Sequence, residues 1–247
     1  MLLAATTDRQ TNRTIIQQGL KITLLCCLWN LVGDLIYTDL TVPGNEYLST
    51  KLPEIINNNQ NSHSSILFAQ TAGWMYPIWG FVTSLQVYLG LRGLGFWSSA
   101  APCMLMAYAF CVVGGSQHAS WAFLTVLQQS PLVGHCGVDY LEDTQSRIWR
   151  HYIWGDLPGI TSLMVSSAWI GIVVATQKSA FPRYFNLFNP LVTQSWVFAL
   201  VYMLPAPWAG YVGGPFGTWI ILGLNVATSY GLWDHFEEEE GADKKES

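Results

Sequence analysis

Charged residues are scarce in this chain of 247 residues. Only 11% of them are Asp, Glu, Lys or Arg, whereas a soluble domain usually carries about 25%. Charge is rarest in six apolar runs, which cover residues 18–38, 65–91, 97–117, 157–177, 187–204 and 214–233. Asp34 is the one formal charge well inside any of these runs. Because a helix needs ~20 apolar residues to cross the hydrocarbon core of a bilayer, the runs predict membrane-spanning helices and exclude an ordinary soluble domain.

Several familiar chemical motifs are missing as well. The chain has no Walker A loop, GxSxG, EF-hand or HExxH sequence, and no Lys in the middle of a run that could form a Schiff base. Its five cysteines form no CxxC pair, which argues against a zinc site or a disulfide framework. The net charge of −5 does not favour nucleic acid as a partner. The sequence therefore predicts no metal, no cofactor and no nucleic acid.

The residues that are present predict an all-α fold, a polytopic membrane helix bundle with six transmembrane helices. Six spans leave no room for a separate soluble domain, so residues 1–236 are predicted to form one membrane domain. Residues 237–247 begin with a run of Glu and are predicted to be a disordered acidic tail. Pro77 is predicted to kink the second span. Asp156 and Pro158 are predicted to form the N-cap and first turn of the fourth span.

The basic residues predict how such a bundle is oriented. With six spans both termini lie on the same side, and placing them in the cytoplasm puts eight basic residues inside and three outside, as the positive-inside rule requires. The inner set is Arg9, Arg13, Lys21, Arg92, Lys178, Arg183, Lys244 and Lys245, and the outer set is Lys51, Arg147 and Arg150. We therefore expect a multi-pass protein of the cell or inner membrane, or of an endomembrane if its source is eukaryotic. The lipid bilayer is its expected partner.

Asp34 is the strongest candidate for a functional residue, because a carboxyl group inside a span is costly and by default marks a site. Asn30, Asp34 and Tyr37 fall at i, i+4 and i+7, so they share one face of the first span. Gly33 beside them permits the close approach of another helix. The alternative is a structural Asp that hydrogen-bonds to a neighbouring helix.

Further polar and aromatic residues are predicted at the same outer end of the bundle. His118 follows Gln117 at the end of the third span and could exchange a proton near neutral pH, although it could equally be an interfacial His bonded to loop backbone. The predicted catalytic residues are Asp34, His118 and Tyr37. The predicted substrate-binding residues are Asn30, Gln70, Trp74, Tyr76, Gln117 and Trp121, with Trp29 and Trp208 as further wall residues. For any single aromatic, a place in the interfacial belt is the alternative.

Three short segments carry a resemblance to a known family. They are Gly33-Asp34 on the first span, the stretch from Gly114 to His118 that ends the third, and Pro182-Arg183-Tyr184 followed by Asn189-Pro190. In these segments the chain resembles a family of uncharacterised bacterial six-span integral membrane proteins. The resemblance covers most of the chain and implies a six-span fold, but it implies no activity.

The sequence leaves the function open between an enzyme, a transporter or ligand-binding protein, and a structural subunit. An enzyme would act on a small lipophilic substrate in an outward-facing polar and aromatic pocket, by isomerisation, cyclisation or hydrolysis, with Asp34 as general acid or base. A transporter would use Asp34 as a proton or cation site. The absence of an inverted repeat and the few polar residues expected toward the inner half disfavour a transport path.

Overall fold

The computed structural model describes residues 9–38, 40–47, 63–128 and 138–246, and all regular structure in these ranges is helical. Side chains are described for residues 11–38, 40–46, 64–114, 147, 157–233 and 235. The α-helices are α1 (Arg9–Tyr37), α2 (Gly44–Tyr47), α3 (His63–Ala72), α4 (Met75–Leu91), α5 (Ala100–Gln128), α6 (Val138–Thr176), α7 (Pro190–Met203), α8 (Trp208–Gly213) and α9 (Phe216–Glu246). Short 3-10 helices at Phe96–Ser98 and Arg183–Phe188 precede α5 and α7.

The second apolar run forms two helices rather than one kinked span. α3 ends at Ala72, a turn follows at Gly73 and Trp74, and α4 begins at Met75. Pro77 therefore lies in the first turn of α4, where its missing N–H removes no helical hydrogen bond. The predicted kink at Pro77 is wrong, because the chain breaks before the proline and starts a new helix there.

The predicted cap at Asp156 is also wrong. α6 is continuous from Val138 to Thr176 and contains Pro158 in its interior. The residues before Asp156 are already helical, so no helix end is present there to be capped. Pro158 instead leaves the carbonyl of Trp154 without its i+4 hydrogen bond, which is the usual cost of an interior proline.

The last helix extends through the acidic segment. The backbone of α9 is helical as far as Glu246, whereas the composition of residues 237–247 favours disorder. Side chains beyond His235 lie outside the described set. The division into a membrane domain and a separate tail stays a prediction.

Close packing of α1, α4 and α9 places the three helices in mutual contact. α5 lies between α4 and α6, and α3 packs beside the end of α1. Glycines allow these approaches, since a Cβ at Gly80 of α4 would overlap the ring of Phe110 on α5. At the N-terminal end of α1, away from α3, the guanidinium of Arg13 lies 5.7 Å from the centre of the Trp233 ring on α9.

Asn189 sets the position of α7. Its Oδ1 accepts a hydrogen bond from the N–H of Leu191 at 3.1 Å, which caps the helix, and Pro190 follows at the first helical position. Its Nδ2 donates to the carbonyl of Ser167 on α6 at 2.7 Å. One side chain thus starts α7 and ties it to α6.

Buried polar and exposed apolar side chains occur on the same helices, beside an apolar core that includes Trp79, Phe110 and Leu224. On α1, Thr23, Asn30 and Asp34 are buried, whereas the large apolar side chains Leu25 and Leu28 are 59% and 62% exposed. Other exposed apolar residues include Phe81, Met104, Ile172, Trp196, Met203 and Tyr230. By length and composition, two segments of the described chain could cross a membrane, Thr11–Tyr37 and Leu157–Thr176. Shorter apolar helices cover Ala100–Gly114 and Pro190–Met203.

Candidate functional site

Asp34 is held between helices that are distant in the sequence. Its side chain is 4% exposed, and its Oδ2 accepts a hydrogen bond of 2.9 Å from the hydroxyl of Thr218 on α9. The Thr218 oxygen lies 3.3 Å from the hydroxyl of Tyr76 on α4. A threonine hydroxyl has one proton. Because Thr218 donates it to Asp34, Tyr76 must be the donor in the second bond. We call these three groups the Asp34–Thr218–Tyr76 chain.

Small residues and one hydroxyl group fix the position of the backbone around Asp34. Gly33 lies against Ala69 and Ala72 of α3, where there is no space for a Cβ. The hydroxyl of Thr38 donates to the carbonyl of Asp34 at 2.8 Å, which gives this carbonyl a partner at the C-terminal end of α1. α1 therefore reaches α3 on one side and α9 on the other, with the carboxyl group directed to α9.

Tyr76 also forms part of the wall of a cavity. The cavity has a volume of about 130 Å³ and lies between α4, α5, α6, α7 and α9. Its lining is mainly apolar and includes Phe110, Val113, Ile160, Leu163, Phe216, Ile220 and Ile221. Gln194 of α7 adds an amide group, and Gly217 lines the wall beside the Tyr76 hydroxyl, which a Cβ on Gly217 would approach to 3.4 Å. The Asp34–Thr218–Tyr76 chain thus ends at an apolar cavity.

The other predicted residues of α1 occupy different positions. Asn30 is fully buried, and its Nδ2 donates to the carbonyl of Cys26 at 2.8 Å. The hydroxyl of Tyr37 donates to the carbonyl of Ile66 on α3 at 3.2 Å. Asn30 and Tyr37 are therefore buried on the same helix as Asp34, but neither is among the residues that line the cavity.

The aromatic residues that the sequence predicts to line one pocket lie at different places in the structure. Of these, Tyr76 lines the cavity, while Trp74 is 65% exposed and Trp208 is 60% exposed. Trp29 stacks on Phe68 with ring centres 5.2 Å apart, and its Nε1 donates to Thr71 at 3.1 Å. Gln70 is half-buried on α3. The turn at Gly73 and Trp74 separates α3 from α4, so the residues on its two sides do not continue one helical face.

Gln117, His118 and Trp121 lie on the backbone of α5, but their side chains fall outside the described set. The predicted pairing of His118 with Asp34 stays a prediction. Among the described residues, no three His, Cys, Asp or Glu side chains are grouped so as to hold a metal ion.

Sequence reasoning missed Thr218, Gln194 and Phe110. Thr218 lies in an apolar helix, where a threonine commonly bonds only to its own backbone. One signal was available, because Thr218 is seven residues before Asn225 and therefore on the same face of α9. Nothing local distinguishes Gln194 or Phe110 from other residues of their helices.

Comparisons of the chain with protein families, with curated proteins and with solved structures found no match.

Proposed function

We propose that the chain is a six-span integral membrane protein with both termini in the cytoplasm, and that it acts on a small lipophilic substrate by acid–base chemistry. The membrane part of the proposal is supported by the distribution of polarity. Side chains such as Leu28, Met104 and Trp196 are more than half exposed, while Asn30, Asp34 and Asn225 are buried. Burial of polar groups together with exposure of large apolar side chains is favoured where the surroundings are themselves apolar.

The enzymatic part depends on one observation, the hydrogen-bonded chain that joins a buried carboxyl group to the wall of a cavity. Tyr76 donates to Thr218, and Thr218 donates to Asp34. The donors thus point from the cavity toward the carboxylate. This direction suits the removal of a proton from a molecule in the cavity.

The proposed reaction is an isomerisation. The Tyr76 hydroxyl passes its proton to Thr218 as Thr218 passes its own to Asp34, and the Tyr76 oxygen then takes a proton from a substrate carbon. Reversal of these steps returns a proton to a second position on the substrate, so the chain ends as it began and needs no co-reactant. Hydrolysis fits the geometry less well, because it requires a water molecule inside an apolar cavity.

The cavity limits the size of the reacting group. An apolar cavity of about 150 Å³ accommodates benzene, and the cavity beside Tyr76 is slightly smaller at about 130 Å³. A group of about six carbon atoms is therefore the upper limit of what the cavity can hold. Phe110 and Phe216 line the wall with aromatic rings, and Gln194 offers one amide to an oxygen of the substrate.

Deuterium transfer tests this proposal while the substrate is still unidentified. The purified protein is placed in vesicles of lipids extracted from the source membranes, in deuterated water, and the lipids are examined by mass spectrometry. We expect the wild type to place deuterium on carbon in a specific lipid. Asp34→Asn keeps the volume and most hydrogen-bonding capacity, and Tyr76→Phe keeps the ring. Each should reduce the rate by about 100-fold or more, because each removes an acid–base group.

Tyr88→Phe is the matched control. Tyr88 lies on the same helix as Tyr76, but it lines a different groove, of about 240 Å³, between α4 and α5. This variant should label lipids at the wild-type rate. A wild type that transfers no deuterium above vesicles without protein, or an Asp34→Asn variant with the full rate, would contradict the proposal.

A further inference from the structure

A line of buried polar side chains continues from Asp34 through the interior of the bundle. On α1 the line consists of Asn12, Thr23, Asn30 and Asp34, on α4 of Tyr76, Thr83 and Gln86, and on α9 of Thr218 and Asn225. All are 4% exposed or less, and the three helices contact one another. We call this line the interior seam. It contradicts the expectation that the inner half of the spans holds few polar residues.

Asn225 joins the three helices in the middle of the seam. Its Oδ1 accepts hydrogen bonds from Thr23 on α1 at 3.1 Å and from Thr83 on α4 at 3.0 Å. Its Nδ2 donates to the carbonyl of Ile221 at 2.9 Å. Thr23 is about 16 Å from Asp34 along α1, at 1.5 Å per residue. Polar contact between the helices is therefore not confined to the Asp34 end.

The seam reaches the opposite end of the bundle. The Nε2 of Gln86 lies 3.5 Å from the carbonyl of Ile16, and Arg92 lies 3.5 Å from the Oδ1 of Asn12. From Asn12 to Asp34 the helix rises by about 33 Å, which matches the ~30 Å hydrocarbon core of a bilayer. The seam is thus as long as a membrane is thick.

Three atoms of the seam are not satisfied by the described part of the protein. They are the Nδ2 of Asn12, the Oδ1 of Asn30 and the Oε1 of Gln86, all on side chains that are 0% or 1% exposed. A buried polar atom without a partner destabilises the folded protein. Polar residues that only hold helices together would bond to one another, as Thr23, Thr83 and Asn225 do. Unsatisfied amides at intervals along one line fit a path whose remaining partners are water molecules.

We propose that the interior seam is a proton path across the bilayer, in which internal water bound by the amides carries protons between the Arg92 end and Asp34. The proposal shares the membrane embedding of the proposed function but not its chemistry. Asp34 is the carboxyl group of the seam. The ionisable side chains close enough to interact with it electrostatically include Cys27, Tyr37 and Tyr76. An intramembrane carboxyl in a polar line is the arrangement that proton relays require.

Proton flux into vesicles tests the path. The protein is reconstituted into vesicles that contain a pH-sensitive dye, a pH step is applied, and potassium with valinomycin clamps the potential. We expect the wild type to acidify the interior faster than vesicles without protein. Asp34→Asn and Gln86→Leu should each lower the flux by about tenfold or more, the change that corresponds to the loss of one hydrogen bond in the path.

Ser84→Ala is the matched control, because Ser84 is also a buried polar residue of α4 with an unsatisfied oxygen among the described residues, but it lines the groove toward α5. It should conduct as the wild type does. Gln86→Leu removes an unsatisfied oxygen together with the long 3.5 Å hydrogen bond to the carbonyl of Ile16, so its stability should stay close to that of the wild type. If the Gln86→Leu variant does not reconstitute into vesicles, the proton flux of Asn30→Leu is measured in its place, with the same expected decrease.

The two proposals fail separately. A wild type that conducts no more than empty vesicles, or a Gln86→Leu variant that conducts like Ser84→Ala, overturns the proton path even if lipids are labelled with deuterium. Conduction that depends on Asp34 and Gln86, without any labelling of lipids, supports the path and overturns the enzyme.

Discussion

At the scale of single residues, the contacts of Asp34 explain how a carboxyl group is retained in an apolar helix. Its partner Thr218 lies 184 positions later in the chain and is fully buried. The hydroxyl of Thr218 serves twice, as a donor to Asp34 and as an acceptor from Tyr76. Loss of this one hydroxyl should therefore affect both stability and chemistry.

Thr218→Val tests that double role, because valine has nearly the same shape and no hydroxyl. The variant removes one buried hydrogen bond from Asp34 and one from Tyr76, so we expect the free energy of unfolding to fall by about 1–3 kcal/mol. Deuterium labelling of lipids should fall as well. Thr218→Ser restores the hydroxyl and should recover both properties. Unfolding in detergent measures the first effect, and an unchanged free energy for Thr218→Val would show that the hydrogen bond does not hold the carboxyl group.

At the scale of helices, glycines determine how closely α4 approaches its neighbours. Gly114 of α5 lies against the Cβ of Tyr76, and Gly80 of α4 lies against Phe110. The two contacts fix the positions of Tyr76 and Phe110, whose aromatic side chains line the cavity. The positions of Tyr76 and Phe110 therefore depend on residues without side chains on the facing helix.

Gly114→Ala should displace α4 from α5, because the new Cβ would overlap the Cβ of Tyr76. We expect a loss of about 1–3 kcal/mol in the free energy of unfolding, as for other overpacked interiors. Gly223→Ala on α9 is the control, since among the side chains that the structure describes its Cβ would meet the ring of Phe188 alone, at 3.9 Å. That variant should be neutral or stabilised by up to ~1 kcal/mol through helix propensity. Equal stability of the two variants would mean that α4 and α5 adjust without cost.

At the scale of the whole molecule, the exposed apolar side chains and the buried polar groups of the described helices are consistent with one environment, the bilayer. The described helices alone show two segments long and apolar enough to span it. The six-span topology remains a proposal, derived from six apolar runs and the distribution of basic residues.

Reporter fusions test this topology. A reporter joined after Ser247 should be active in the cytoplasm, and one inserted beside Gln60 should be active on the other side, because eight of the eleven basic residues then lie inside. The protein should also remain in the membrane fraction after extraction with alkaline carbonate. Termini on opposite sides, or release by carbonate, would show that the number of spans is not six.

The sequence by itself determined the helical class of the described chain and the burial of Asp34. Apolar runs predict helices because a helix satisfies its own backbone, and a carboxyl group within such a run must find a partner inside the protein. The burial of Asn30, Asp34 and Tyr37 follows from their common face, since a period of 3.6 residues is a local property.

Only the tertiary structure decided which groups meet. The partners of Asp34 lie on α4 and α9, and their contact depends on the rotation and axial position of each helix, which packing sets through residues such as Gly114. The seven-residue spacing of Thr218 and Asn225 marks a shared face of α9 but not which helix meets that face. No local pattern distinguishes Tyr76 from the exposed Trp74 two residues earlier. The break before α4 and the continuity of α6 through Pro158 were decided in the same way. A proline permits both a helix start and an interior kink, and the residues around it determine which one forms.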